Sequence, residues 1–381
     1  MKITAIVLGV LAAAQLAMPQ RHKPSTINTE TPEGALLQLI GTEQDDAKKL
    51  ALLEDFASRY PKHEGLNWVY ELMVDGYTKA RQFDKALDAG EKLVAADPQA
   101  VEAGHACLKA AEAKKDPDLI LKWSNLTSEM ARKVAALPKP AEEDDVDDWK
   151  RRVDYAKQVD IYTEYSLFAT MLATQDPKKK IDLAEALEKR NPDSQYLPQM
   201  SEPWFQAYMQ PGGDQAKGIA LAERLVEKNQ GTAEMMLAVA GGYMGKKQPE
   251  KVVEFSKKAI AAAEAKPKPE GVADANWANW KGQIAGRAHW MTGVTLAGQS
   301  KWSQADQELR AALPGITESK EMQAQALFYL GVANYRMAVA GDTERARDAL
   351  KFSDECAAIP GPFQAPARQN SRAIKTQYHV Q

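Results

Sequence analysis

Catalysis and metal binding need particular side chains at particular spacings, so the histidines, cysteines and acidic runs are read first. The five histidines, His22, His63, His105, His289 and His379, are scattered. No His-Glu-x-x-His and no Cys-x-x-Cys gathers them into a zinc site. His105 and Cys107 stand two apart, so on a helix they point to different sides. Pro211-Gly212-Gly213-Asp214 is the nearest approach to a phosphate-cradling loop, but it lacks the lysine and a preceding strand and reads as a turn. Glu142, Glu143, Asp144, Asp145, Asp147 and Asp148 crowd together without the central glycine that a calcium loop needs. Lys150, Arg151 and Arg152 follow, and acidic-then-basic order suits the start of a helix. Nucleophilic catalysis needs a base beside Ser or Cys, and no local signature supplies one. The expectation is a protein that is not an enzyme, with no catalytic residue, no cofactor and no metal.

The elements that would position any site come next. At 44% hydrophobic and 27% charged residues the chain has the balance of a folded protein rather than a disordered one. A formal net charge of -3 gives no electrostatic reason to expect nucleic acid. Met1-Lys2 leads into an apolar run from Ile3 to Ala14, with Ala12-Ala13-Ala14 as a small-residue cleavage site. Residues 1–17 therefore read as a signal peptide, and the protein as exported to a periplasm or secreted; an uncleaved membrane tether is the alternative. No later stretch is long and apolar enough to span a bilayer. Residues 18–31 are polar with two prolines and read as a flexible tether. From Pro32 onward the pattern is helical: Leu53, Phe56, Ala57 and Tyr60 share one face, as do Ile219, Ala222, Leu225 and Val226. No run alternates with period two, so the class is all-α with no β-sheet.

Self-similarity organises these helices. The segment from Asn67 to Pro98 places Tyr70, Met73 and Tyr77 on a first helix, then Ala86 on a second, then Pro98. Thr292-Gly293 with Leu296, then Ala305, Leu309 and Ala312, keep the same offsets. Leu330-Gly331 with Ala346 and Leu350 follow them, with extra residues at the Ala340–Asp342 turn, and Ala240, Tyr243, Val252 and Ala259 form a fourth set. This pattern resembles the tetratricopeptide repeat, a helix pair of about 34 residues, and the chain resembles an exported bacterial member of that family. The resemblance implies a right-handed α-solenoid of antiparallel helix pairs. Small residues such as Gly293, Gly331 and Ala305 would let paired helices approach closely. The sequence departs from the pattern where Val74 stands at the usual glycine and where repeats lengthen. The division it suggests is 32–136 for N-terminal helix pairs, 137–231 for degenerate repeats with inserted loops, 232–359 for C-terminal repeats, and 360–381 for a capping helix and tail. Stretches 137–147, 198–213, 266–275 and 313–319 read as lengthened turns, and 101–136 and 161–195 as degenerate pairs. Cys107 and Cys356 lie too far apart in such an array to meet, and are expected as free, buried thiols.

What the resemblance implies for function is a groove lined by first helices that holds an extended or helical peptide. Its residues on the clearest repeats are Trp68, Glu71, Asp75, Thr78 and Lys79; Arg287, Trp290 and Val294; and Gln325, Phe328, Val332, Tyr335 and Arg336. Aromatic and arginine side chains are types that concentrate binding energy. The expected role is a non-catalytic protein–protein interaction scaffold of the cell envelope with a protein or peptide partner. Alternatives are a structural component that associates with itself, and a carbohydrate-binding protein or enzyme that uses its tryptophans to stack on sugar rings.

Overall fold

A computed structural model describes residues 21–338 and 343–380. The signal-peptide reading of 1–17 and the Ala340–Asp342 turn therefore lie outside the described residues. Seventeen α-helices and no strand occur among the described residues. The helices are α1 Pro32–Thr42, α2 Asp46–Arg59, α3 Leu66–Lys79, α4 Phe83–Ala96, α5 Val101–Lys114, α6 Pro117–Ala135, α7 Val146–Ala173 and α8 Pro177–Arg190. They continue with α9 Leu197–Met209, α10 Gln215–Glu227, α11 Ala233–Gly245, α12 Pro249–Ala265, α13 Asp274–Gly298, α14 Trp302–Ala312, α15 Lys320–Met337, α16 Thr343–Ala357 and α17 Gln364–Tyr378. None is long and apolar enough to cross a membrane.

Local chemistry sets several helix starts. Thr31, Asp116 and Asp176 each accept a hydrogen bond from the first turn, and each is followed by a proline whose missing N–H costs nothing there. The turn between paired helices also recurs. Arg81, Lys115, Lys247 and Ser300 all take positive φ. The next N–H then bonds back to a carbonyl five residues earlier, as Gln82 does to Tyr77 at 2.8 Å and Gln248 to Tyr243 at 3.0 Å. The same turn closes four helix pairs, which is the repeat expressed as backbone geometry.

The chain forms two compact units, divided after Met200. In the first, each helix packs on its predecessor, and α3 also meets α5, α5 meets α7, and α6 meets α8. In the second, α10 to α17 pack likewise in succession, with α11 on α13, α13 on α15 and α15 on α17. Within the first unit α3, α5 and α7 thus stack on one another, and within the second α11, α13, α15 and α17 do, with the intervening helices packed behind them: each unit is an all-α, tetratricopeptide-like array of helix pairs. The first unit's core contains Phe56, Trp68, Leu108 and Trp123; one cluster of the second contains Leu309, Leu330, Phe352 and Cys356.

Small residues permit the close approaches. A Cβ on Gly293 would lie 2.6 Å from the Leu309 side chain, and one on Gly331 would lie 2.6 Å from Ser353 Oγ. On α4, a Cβ at Gly90 would overlap the Sγ of Cys107 on α5. Gly90→Ala is expected to destabilise the protein by about 1–3 kcal/mol through overpacking. Denaturant titration of Gly90→Ala in a Cys107→Ala background should recover most of that loss, because the colliding sulfur is gone. Both cysteines are free and buried. Burial pushes the Cys107 thiol up to about 12 and the Cys356 thiol to about 11.

Three sequence readings are corrected. Residues 198–209 belong to helix α9, with Pro203 inside it, rather than to a loop. The pair read at 161–195 begins at Val146, because α7 is one helix of 28 residues. The flexible tether does not hold for 21–31: Ile27 packs on the first unit's core, and Arg21 and His22 are docked as described below.

Candidate functional site

On α5, Glu102, His105, Lys109 and Glu112 fall at helical spacing along one face; on α7, Arg152, Tyr155, Tyr162 and Ser166 do the same. Packing of α5 on α7 brings the two rows together. Arg152 Nη2 donates to Gln99 Oε1 at 3.4 Å, and His105 Nδ1 pairs with the Tyr155 hydroxyl at 2.9 Å. Lys109 Nζ donates to the Tyr162 hydroxyl at 2.7 Å, which donates to Glu112 at 2.6 Å. Ser166 donates to the same carboxylate at 2.8 Å. This arrangement fixes the Glu112 carboxylate between the Tyr162 and Ser166 hydroxyls.

Electrostatics follow from half-burial. Desolvation, and secondarily the Lys109 charge, lower His105 to about 4, so it is neutral at pH 7. Desolvation raises the Glu102 carboxyl. Burial raises Tyr162, and its bond to Glu112 raises it further. At the C-terminal end of the row opens a cleft of about 620 Å³, lined by Glu112, Lys115, Ile120, Tyr165, Ala169 and Ala173 among others. It offers one apolar wall with charged groups at its edge, a common make-up for a side-chain pocket.

At the other end, the chain's own residues occupy the face. The backbone N–H groups of Arg21 and His22 each donate to the Glu71 carboxylate at 3.3 Å. Arg21 pairs with Asp97 at 3.0 Å and donates to the Gln99 carbonyl at 2.5 Å. His22 Nε2 lies 2.8 Å from Asp97, and its Nδ1 is 3.5 Å from Glu71. The hydrogen bond to Glu71, opposed by desolvation and helped by Asp97, raises the His22 pKa above 6.5. A pKa raised by folding contributes stability that is full below 6.5 and lost as pH climbs through the raised value. Limited proteolysis within residues 21–31 should therefore accelerate as pH rises across that window. His105 works oppositely: its depressed pKa costs folded-state stability as pH falls from 6.5 toward about 4.

The residues assigned to the groove by resemblance divide. Trp68 is 2% exposed and Val294 is 8% exposed, so both are core and not groove. A large aromatic at the first position fills the space against α1, where a Cβ on Gly41 would touch its ring. Glu71 is on the face but already holds Arg21 and His22. Asp75 is exposed and pairs with Lys79 at 2.6 Å; the Thr78 hydroxyl bonds back to Val74. In the second unit Arg287 and Arg336 are exposed, while Gln325 and Val332 are half-buried. Trp290 and Phe328 are half-buried against the core that contains Val294 and Leu309. The Phe328 ring meets Phe363 at 5.3 Å, and the Tyr335 hydroxyl donates to Gln377 at 2.6 Å. The closing helix α17 and its lead-in thus cover the part of α15 that was expected to be open.

Two features escaped the sequence reading. The α5–α7 row joins residues about 50 positions apart, such as His105 and Tyr155. Its signal was the helical spacing of polar and aromatic residues on a segment that matches the repeat poorly. The other is a Trp277–Trp280 stack, with centroids 4.5 Å apart, whose Trp280 indole N–H donates to Glu234 at 2.8 Å.

No protein-family model matches this sequence. No curated protein matches it either. Among solved structures the chain is similar to the crystal structure of yeast Tom70, at 9% identity, over 93% of this chain and 97% of that one, with a TM-score of 0.22. At that score the likeness decides nothing, and the architecture rests on the helix packing itself.

Proposed function

We propose that this protein is a non-catalytic scaffold that holds a polypeptide segment along the α3–α5–α7 face of its first unit. The observation that carries the reading is the ordered row where α5 and the turn before it meet α7, running from Gln99 to Glu112 and ending in a cleft of about 620 Å³. Hydrogen-bonded side chains set rigidly on helices suit recognition of an extended chain, because little entropy is lost on binding. The apolar run at 3–14 supports placing this activity outside the cytoplasm, in the cell envelope or secreted.

Panning a displayed peptide library on the full chain tests it. Enriched peptides are expected to lose about tenfold in affinity on Tyr165→Ala, since a half-buried aromatic wall is removed from the cleft. Circular dichroism should show unchanged helicity. Undiminished binding by a folded Tyr165→Ala chain would place the peptide elsewhere. A second reading, sugar binding in the second unit, has the stacked Trp277–Trp280 pair in its favour, with Asn276 and Asn279 exposed beside it. A glycan array with Trp277→Ala as control separates it from the first.

A further inference from the structure

The occupant of the first unit's face reveals the chemistry that the face accepts. Glu71 on α3, Asp97 at the end of α4 and Glu102 on α5 converge there, with the Gln99 carbonyl between them. Arg21 satisfies the Asp97 carboxylate and the Gln99 carbonyl together, while two successive backbone N–H groups dock on one carboxylate, Glu71. That is how an extended chain binds: main-chain donors fix its direction and a long cationic side chain fixes its register. The contacts are tethered to the body by Ile27 in the core and by Asn28, whose carbonyl accepts from Thr31 at the α1 cap.

We infer that this acidic end of the face is a binding subsite for an arginine-bearing basic peptide segment, and that Arg21-His22 is its resident, displaceable occupant. The inference rests on the reading of the face as a polypeptide-holding surface and names the partner's chemistry. An incoming basic segment must compete with residues held at the high effective concentration of a short tether. Once the Arg21 and His22 side chains are removed, Glu71, Asp97 and Glu102 lose the two basic groups docked among them, with Arg152 the remaining counter-charge that bears on Glu102. That arrangement favours capture of a replacement cation.

The probe is a fluorescent synthetic peptide with the sequence of residues 20–31, titrated by anisotropy onto the full chain. Three further full chains are titrated: Arg21→Ala/His22→Ala, the same with Glu71→Gln added, and Lys23→Ala. Lys23 is exposed on the same segment, so it controls for the loss of a positive charge alone. The double variant is expected to bind at least about tenfold tighter than the unaltered chain. Adding Glu71→Gln should cancel the gain, and Lys23→Ala should match the unaltered chain. Equal affinity for the unaltered and double-variant chains overturns self-occupancy, and so does an equal gain from Lys23→Ala. Preference for an acidic or apolar peptide over the basic probe overturns the assigned chemistry while leaving a peptide-holding face. Failure of basic, acidic and apolar peptides alike to bind any of the chains overturns the proposed function itself. Circular dichroism on each chain confirms that the helices, of which Pro32–Thr42 is the first among the described residues, are intact.

Discussion

Replacing Trp68 with alanine is expected to lower stability by about 3–5 kcal/mol, the range for a fully buried large aromatic. The side chain is 2% exposed and belongs to the cluster that joins Leu37, Ile40, Leu53 and Phe56 to α3. Its removal leaves a cavity between α1 and α3 that neighbouring helices cannot close without shifting. Chemical denaturation should show an earlier loss of helical signal, and hydrogen exchange should speed in α1 to α4. Asp75→Ala is the control: its pair with Lys79 is more than 60% exposed on both sides and is expected to change stability by less than about 0.5 kcal/mol. If the two variants cost the same, Trp68 is not the core residue that its burial makes it.

Glu164→Ala is expected to cost about 3–5 kcal/mol, as breaking a buried charged cluster does. Its side chain on α7 is 8% exposed and accepts from Asn191 Nδ2 and Ser194 Oγ, both at 2.7 Å, with Arg132 Nη2 at 4.0 Å. These bonds tie α7 to the turn after α8. Alanine leaves the amide and the hydroxyl without this acceptor. It also strips one of two carboxylates near Arg190, whose pKa desolvation already lowers against the pull of Asp160 and Glu164. Glu164→Gln keeps an acceptor and should lose much less. The comparison of the two midpoints reads the cluster directly. A glutamine variant as damaged as the alanine one would mean that the charge, not the hydrogen bonds, carries the effect.

The architecture was legible where the reasons for it are local. Thr31-Pro32, Asp116-Pro117 and Asp176-Pro177 announce helix starts, and Gly293 and Gly331 mark close helix approaches. What failed was register. The helices α7 and α13, of 28 and 25 residues, exceed the repeat's usual length, so offsets carried from neighbouring repeats slide along them. Pro198 and Pro203 made a helix look like a loop, yet the first stands in the opening turn of α9, where its missing N–H costs little. The site was harder still. Trp68 and Val294 occupy groove positions by consensus offset, but an apolar residue at such a position joins the core wherever a neighbouring helix reaches it. Phe328 and Tyr335 illustrate this in the second unit, where Phe363, Gln377 and Tyr378 come from beyond the last repeat to cover them. The α5–α7 row was legible only as two helical stripes, because nothing in the sequence pairs Lys109 with Tyr162.

Hydrogen–deuterium exchange of the full chain, with and without a saturating library-selected peptide, tests the peptide-holding face most directly. Slowed exchange along α5 and α7, with faster exchange at residues 21–31 when the peptide is basic, is the expected result. A bound peptide that leaves α3, α5 and α7 unprotected and slows only helices of the second unit would contradict it.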